Sequence, residues 1–195
     1  MTNSIPRLII CTALLLISFP DALSQKRKAC PTPPPSPFKH SGEIVTSFDS
    51  AARGMRTTLE HPGPLAAGAE GAVYLSASFI HRDTRKGARQ TLDLLIVSTS
   101  RAPRFRQSHD LSLVCDGRAV PLSSPARYES KSNGGTILEA TGVTLTAEDL
   151  AALTGARKVS ARLGAAEFEL TRNHLEALRE MASLMGNSPT RWSAE

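Results

Sequence analysis

Aromatic residues are scarce in this chain, 5% of 195 residues with a single tryptophan, and cysteine occurs only three times. So few aromatics supply no series of stacking platforms for single-stranded nucleic acid. The 23 Lys and Arg against 18 Asp and Glu, a net +5, also fall short of the dense basic face of a dedicated nucleic-acid binder. Cys11, Cys30 and Cys115 allow at most one bridge, which excludes a disulfide-stapled scaffold. Catalytic signatures are missing as well: there is no Gly-x-Ser-x-Gly elbow, His-Glu-x-x-His helix, phosphate loop or Cys-x-x-Cys pair. His40, His61, His81, His109 and His174 show no metal-ligand spacing to one another. No catalytic residue, metal site or cofactor is therefore expected. His109 precedes Asp110, but adjacent strand residues point to opposite faces, so the pair makes a poor dyad and His109 reads as a surface-loop residue. His174, near the start of the last helical pattern, is expected to face solvent.

The amino-terminal two dozen residues are of a different kind. Arg7 supplies a positive start, Leu8 to Phe19 form an apolar stretch, Pro20 ends it, and Ala22 and Ser24 sit where a signal peptidase reads small residues before Gln25. A dozen apolar residues at about 1.5 Å rise span roughly 18 Å, too short for about 30 Å of hydrocarbon. Arg27, Lys28 and Ala29 before Cys30 do not form a lipobox. Residues 1–24 thus read as a signal peptide, with an exported product in the periplasm or outside the cell and no stable membrane span after processing. Their removal takes away Arg7 and Asp21 and leaves the net charge unchanged. Residues 25–42 read as a basic, Pro-rich linker: Lys26-Arg27-Lys28, then a run from Pro31 to Pro37 that favours polyproline II and serves as a stiff spacer.

From Glu43 onward the chain shows short runs of period two, the pattern of half-buried strands. Val73, Leu75, Ala77 and Phe79 alternate with Tyr74, Ser76, Ser78 and Ile80, and Thr91 to Thr99 follows as a more apolar, central strand. Leu111 to Cys115 and Arg118 to Leu122 flank Asp116-Gly117, whose positive backbone angles suit a type I′ hairpin. Pro121 marks an edge or a strand end. A second hairpin is expected between Tyr128 and Thr136 to Ala140 about Ser132-Asn133-Gly134-Gly135, and Ile44 to Leu59 holds one or two strands.

Two helices follow. Thr146 caps the first, Glu148 and Asp149 occupy its opening turn, and Gly155 stops it. A strand pair, Lys158 to Leu163 and Glu167 to Leu170 about Gly164, separates it from the second. That helix has Thr171 as its cap, an apolar stripe of Leu175, Leu178, Met181, Ala182 and Met185, a polar face of Arg172, Glu176, Arg179, Glu180 and Ser183, and an end at Gly186 and Asn187. The expected fold is mainly β: an antiparallel sandwich or open barrel over residues 43–186, with one short helix and a C-terminal amphipathic helix, before a tail at 187–195.

Cys115 shares a strand face with Leu111 and Leu113 and reads as a small buried hydrophobe or as the partner of Cys30 in a disulfide; a nucleophilic thiol is disfavoured because no neighbouring base is visible. Positive charge concentrates at Arg82, Arg85, Lys86 and Arg89, with Asp83 among them, and at Arg101, Arg104 and Arg106. If strands 71–80 and 91–99 form a hairpin, the two groups flank opposite ends of the second strand, roughly 25 to 30 Å apart. These arginines and the lysine are the expected anion-binding residues. The chain accordingly reads as an exported, non-enzymatic binding domain at the cell envelope, its partner a macromolecule that carries anionic groups and not a specific nucleic acid. The alternative is an extracytoplasmic enzyme, hydrolase-like, whose residues converge only in three dimensions.

Overall fold

The alternation of Val73, Leu75, Ala77 and Phe79 with Tyr74, Ser76 and Ser78 generates the strand on which the large sheet is built. A computed structural model describes residues 36–81, 90–122 and 124–186, and among them it places eleven strands and two helices. The larger sheet takes the order β1 (Glu43–Asp49), β2 (Gly54–Glu60), β4 (Gly71–Ile80), β5 (Thr91–Ser100), β9 (Thr136–Thr146), β8 (Arg127–Asn133), and β3 (Pro64–Gly68) pairs with β4 where β2 does not reach. The smaller sheet runs β11 (Ala166–Glu169), β10 (Val159–Leu163), β6 (Leu111–Cys115), β7 (Arg118–Val120). Every pairing is antiparallel. The protein is therefore mainly β, its large sheet open between edges β1 and β8 and not closed into a barrel.

Register decides which side chains enter the core. Leu75 lies opposite Ile96 and Ala77 opposite Leu94, while Leu94 and Leu92 face Val143 and Leu145 on the other side of β5. These residues are fully or almost fully buried, and they join Leu113, Val159, Ala161, Leu163 and Phe168 of the smaller sheet in one hydrophobic cluster. Helix α1 (Ala147–Gly155) adds Leu150 and Leu153; helix α2 (Arg172–Gly186) adds Leu175, Ala177, Leu178, Met181 and Met185. Both helices pack on the face of the large sheet that carries these residues.

Local sequence chemistry sets the ends of the elements. Thr146 accepts from the Asp149 amide at 3.1 Å and Asp149 accepts from the Thr146 amide at 2.9 Å, a reciprocal capping box that starts α1. Asp116 and Gly117 take φ of 49° and 81°, the positive angles of the expected hairpin. The Asp116 carboxylate also accepts from the amides of Arg157 and Lys158, at 3.1 and 2.9 Å, and so ties the β6–β7 turn to the start of β10.

The start of α2 overturns the expected exposure of His174, which is only 1% accessible. Its Nδ1 faces the Thr171 amide at 3.1 Å and hydroxyl at 2.8 Å, and its Nε2 faces the Gly63 carbonyl at 3.1 Å. A neutral ring with its proton on Nε2 meets these partners: Thr171 donates to Nδ1, and Nε2–H donates to Gly63. Beside it, the Ser41 amide donates to Asn173 at 2.9 Å, Asn173 donates to the Pro62 carbonyl, and His40 pairs with Glu180. Residues 40–41 and 62–63 are thereby fastened to α2. No helix among the described residues is long and apolar enough to cross a membrane.

Candidate functional site

Strand β9 carries an acid on its buried phase. Glu139 lies in step with Ile137, Thr141, Val143 and Leu145, and it is 1% exposed. A buried carboxylate must be matched by donors. Three converge on it: the Arg104 amide at 2.7 Å, the Phe105 amide at 2.9 Å and the Tyr128 hydroxyl at 2.8 Å. The first two belong to the loop 101–110 that follows β5, so Glu139 fixes the backbone of the segment containing Arg101, Arg104 and Arg106. Ser100 Oγ, donating to the Ala102 carbonyl at 2.6 Å, holds the loop at its start. Phe105 anchors it in the core, edge-on to Phe168 at 6.4 Å between ring centroids.

The arginine side chains themselves point outward. Arg101, Arg104 and Arg106 are exposed, and none of the ion pairs among the described residues uses them. Arg104 sits over the Phe105 ring, 5.4 Å from its centroid, which holds the guanidinium without neutralising it. Arg106 lines an open hollow of about 380 Å³ together with Pro103, Tyr128, Ser130, Ser132 and Ile137. A neighbouring hollow of about 370 Å³ is lined by Pro103, Arg104, Arg106 and Gln107. His109 stacks on Tyr128, with centroids 4.7 Å apart and planes at 22°, and its buried Nδ1 has no hydrogen-bond partner. Burial, then the hydrogen bond to Glu139, pushes the Tyr128 phenol above its ordinary value, so it stays a donor at neutral pH. The surroundings offer cations and hydroxyl groups to an anion. Glu139 faces inward, its two oxygens already occupied.

A third hollow, of about 220 Å³, lies on the other face of the large sheet between Arg56, Asp93, Arg127 and Glu129 over Leu95 and Gly142. Its charges are balanced internally: Arg56 pairs with Asp49 at 2.7 Å and Arg127 with Asp93 at 3.0 Å. Its arginines are therefore committed, whereas those of the 101–110 loop are not.

Of the residues marked in the sequence, Arg82, Arg85, Lys86, Arg89 and Cys30 lie outside the described residues, as do the expected leader at 1–24 and the expected tail at 187–195. The antiparallel pairing of β4 with β5 is present, so the 101–110 loop leaves β5 at the end opposite to the one that follows residues 82–89. Cys115 is a free, half-buried thiol, and burial followed by the charge of Asp116 pushes its pKa up. His109 and Asp110 share no side-chain hydrogen bond; the Asp110 carbonyl instead accepts from the Gly164 amide at 3.0 Å. No group of His, Cys, Asp and Glu suited to a metal ion occurs among the described residues. Sequence reasoning passed over Glu139, Tyr128 and the hydroxyls of Ser130 and Ser132. The signal for Glu139 was present, an acid in phase with the apolar positions of its strand. No protein-family model matches the chain, and no curated protein matches it.

Proposed function

We propose that the chain is an exported, non-enzymatic domain that holds anionic groups of a macromolecular partner at the cell envelope, through the 101–110 loop and the hollow beside it. The observation that carries this reading is the combination of exposed, unpaired Arg101, Arg104 and Arg106 with a backbone fixed by the buried Glu139. A loop already ordered loses less entropy when a ligand arrives, and guanidinium groups present paired donors to carboxylate, sulfate or phosphate. The hydroxyls of Tyr128, Ser130 and Ser132 supply further donors within the same hollow. Arg82, Arg85, Lys86 and Arg89 extend the proposal as a second basic segment.

Such an attraction is weak and screened, because the Debye length shrinks from about 10 Å at 0.1 M salt to about 3 Å at 1 M. The test compares two variants that each remove three charges: Arg101, Arg104 and Arg106 replaced by Ser, and Lys26, Arg27 and Lys28 replaced by Ser. On an immobilised sulfated polysaccharide the loop variant is expected to elute at clearly lower salt than the tail variant. Ser130→Ala with Ser132→Ala should lower retention further without any change of charge. Equal losses for the two charge-matched variants would leave the loop as ordinary solvated surface and end the proposal. Intact-mass measurement of the protein from its host tests the localisation, with an amino terminus at Gln25 expected and one at Met1 contradicting export.

A further inference from the structure

Natural sheets blunt their edges with prolines, lysines, bulges or brevity, since a bare edge recruits other strands. Most edges here follow that rule. Strand β3 begins at Pro64 and shifts register between Pro64 and Ala66, β7 has three residues followed by Pro121, β11 has four residues including Glu167 and Glu169, and β8 carries Arg127, Glu129 and Lys131. Strand β1 does not. It runs for seven residues in unbroken register with β2, it contains no Pro, Gly, Lys or Arg, and no described residue pairs with its outer side. Its five central residues, Ile44 to Phe48, are uncharged, with Val45 37% and Phe48 67% exposed.

We propose that a second copy of this chain pairs with β1 in antiparallel fashion about a two-fold axis at Thr46. The pattern of the strand is the reason. Side chains alternate between faces, so only registers that oppose residues of like parity continue the buried face of the sheet from one copy into the next. Centred on Thr46, the pairing sets Ile44 against the partner's Phe48, Thr46 against the partner's Thr46 and Val45 against the partner's Ser47. Ile44 packs on the core cluster, so the partner's Phe48 prolongs that apolar layer across the axis. Moving the centre to Ser47 would place Val45 against the partner's Asp49, and moving it to Val45 would leave Phe48 beyond the pairing. The chosen register opposes Glu43 to the partner's Asp49, an acid whose charge is offset by Arg56 at 2.7 Å. The 101–110 loop lies toward the β8–β9 side of the sheet, so pairing at β1 leaves both copies of it free and is independent of any anion it binds.

Cysteine trapping reads this register directly. In the protein purified from its host with its native cysteines changed to serine, Thr46→Cys should cross-link to a dimer almost completely under mild oxidation. Ser47→Cys, offset from its own copy, should cross-link at least tenfold less. With native residues, sedimentation equilibrium should show a dimer that Phe48→Lys converts to monomer while its circular dichroism stays unchanged. A monomer at all concentrations up to about 100 µM, where a Kd of about 10 µM would leave most chains paired, overturns the proposal. So does equal cross-linking at positions 46 and 47.

Discussion

Gly71 opens β4 with φ of 134°, and a Cβ there would stand 1.9 Å from the Thr99 carbonyl oxygen. That oxygen belongs to backbone inside β5 and cannot swing aside. Gly71→Ala is therefore expected to cost about 3 kcal/mol or more in urea unfolding. Gly68→Ala, three residues earlier with nothing within 4 Å of the added carbon, should stay within about 0.5 kcal/mol. Similar losses at both sites would mean that β4 starts in another conformation. Glu139 offers a second test at the same scale. In Glu139→Gln one carboxylate oxygen becomes an NH2 group facing donors from Arg104, Phe105 or Tyr128, so a loss of about 2 kcal/mol or more is expected. The variant keeps every arginine of the loop and yet should lose retention on the sulfated matrix. Full retention would show that the Glu139 clamp plays no part in binding.

Helix α2 is the element whose docking the sequence predicts most fully, because its apolar stripe recurs at helical spacing and Leu175, Leu178, Met181 and Met185 are all buried. Leu178→Asp should cost about 3 kcal/mol or more by burying an unpaired charge, while Ser183→Ala should stay within about 0.5 kcal/mol. Small, equal effects would mean an undocked helix. The features legible in the sequence share a local cause. Asp116-Gly117 carries its own turn chemistry, Thr146 and Asp149 cap each other three residues apart, and the alternation of residues 71–80 needs no distant partner. Strand β3 escaped notice because Pro64-Leu65-Ala66-Ala67-Gly68 has no alternation and exists only where β2 leaves the Gly71–Tyr74 end of β4 unpaired. The burial of His174 is not legible for the same reason, since its ring meets Gly63, 111 residues away in the chain. The proposed anion site is legible as a row of arginines. What orders it, the pairing of β5, β9 and β8 that brings Glu139 and Tyr128 under the loop, is tertiary.

At the scale of the whole molecule, the histidines give folding stability a pH dependence whose sign follows from their burial. Desolvation holds both His174 and His81 below the ordinary imidazole value of 6.5, and for His174 the Gly63 carbonyl opposes this only in part. His81 sits against Phe79, with centroids 4.8 Å apart, and shares a hydrogen bond of 2.8 Å with Thr57. Between the folded and the unfolded values the unfolded chain binds more protons, so stability rises with pH across that interval. The contribution is complete above about pH 6.5 and is lost as pH falls through the lower, folded values. A separate acid limb begins further down. Asp49, Asp116 and Glu167 are all held below ordinary carboxylate values, the first two chiefly by backbone amides and the third chiefly by Ser160, and their contribution disappears only once the pH drops below about 4.5. Urea unfolding between pH 7.5 and about 5 should therefore show a steady loss of stability. Replacing both His81 and His174 by Gln should flatten that slope, and the difference between the two proteins isolates the contribution of these two rings. An unchanged slope in the double variant would mean that both rings remain accessible to protons in the folded protein, and that His174 does not form the closed link between α2 and Gly63.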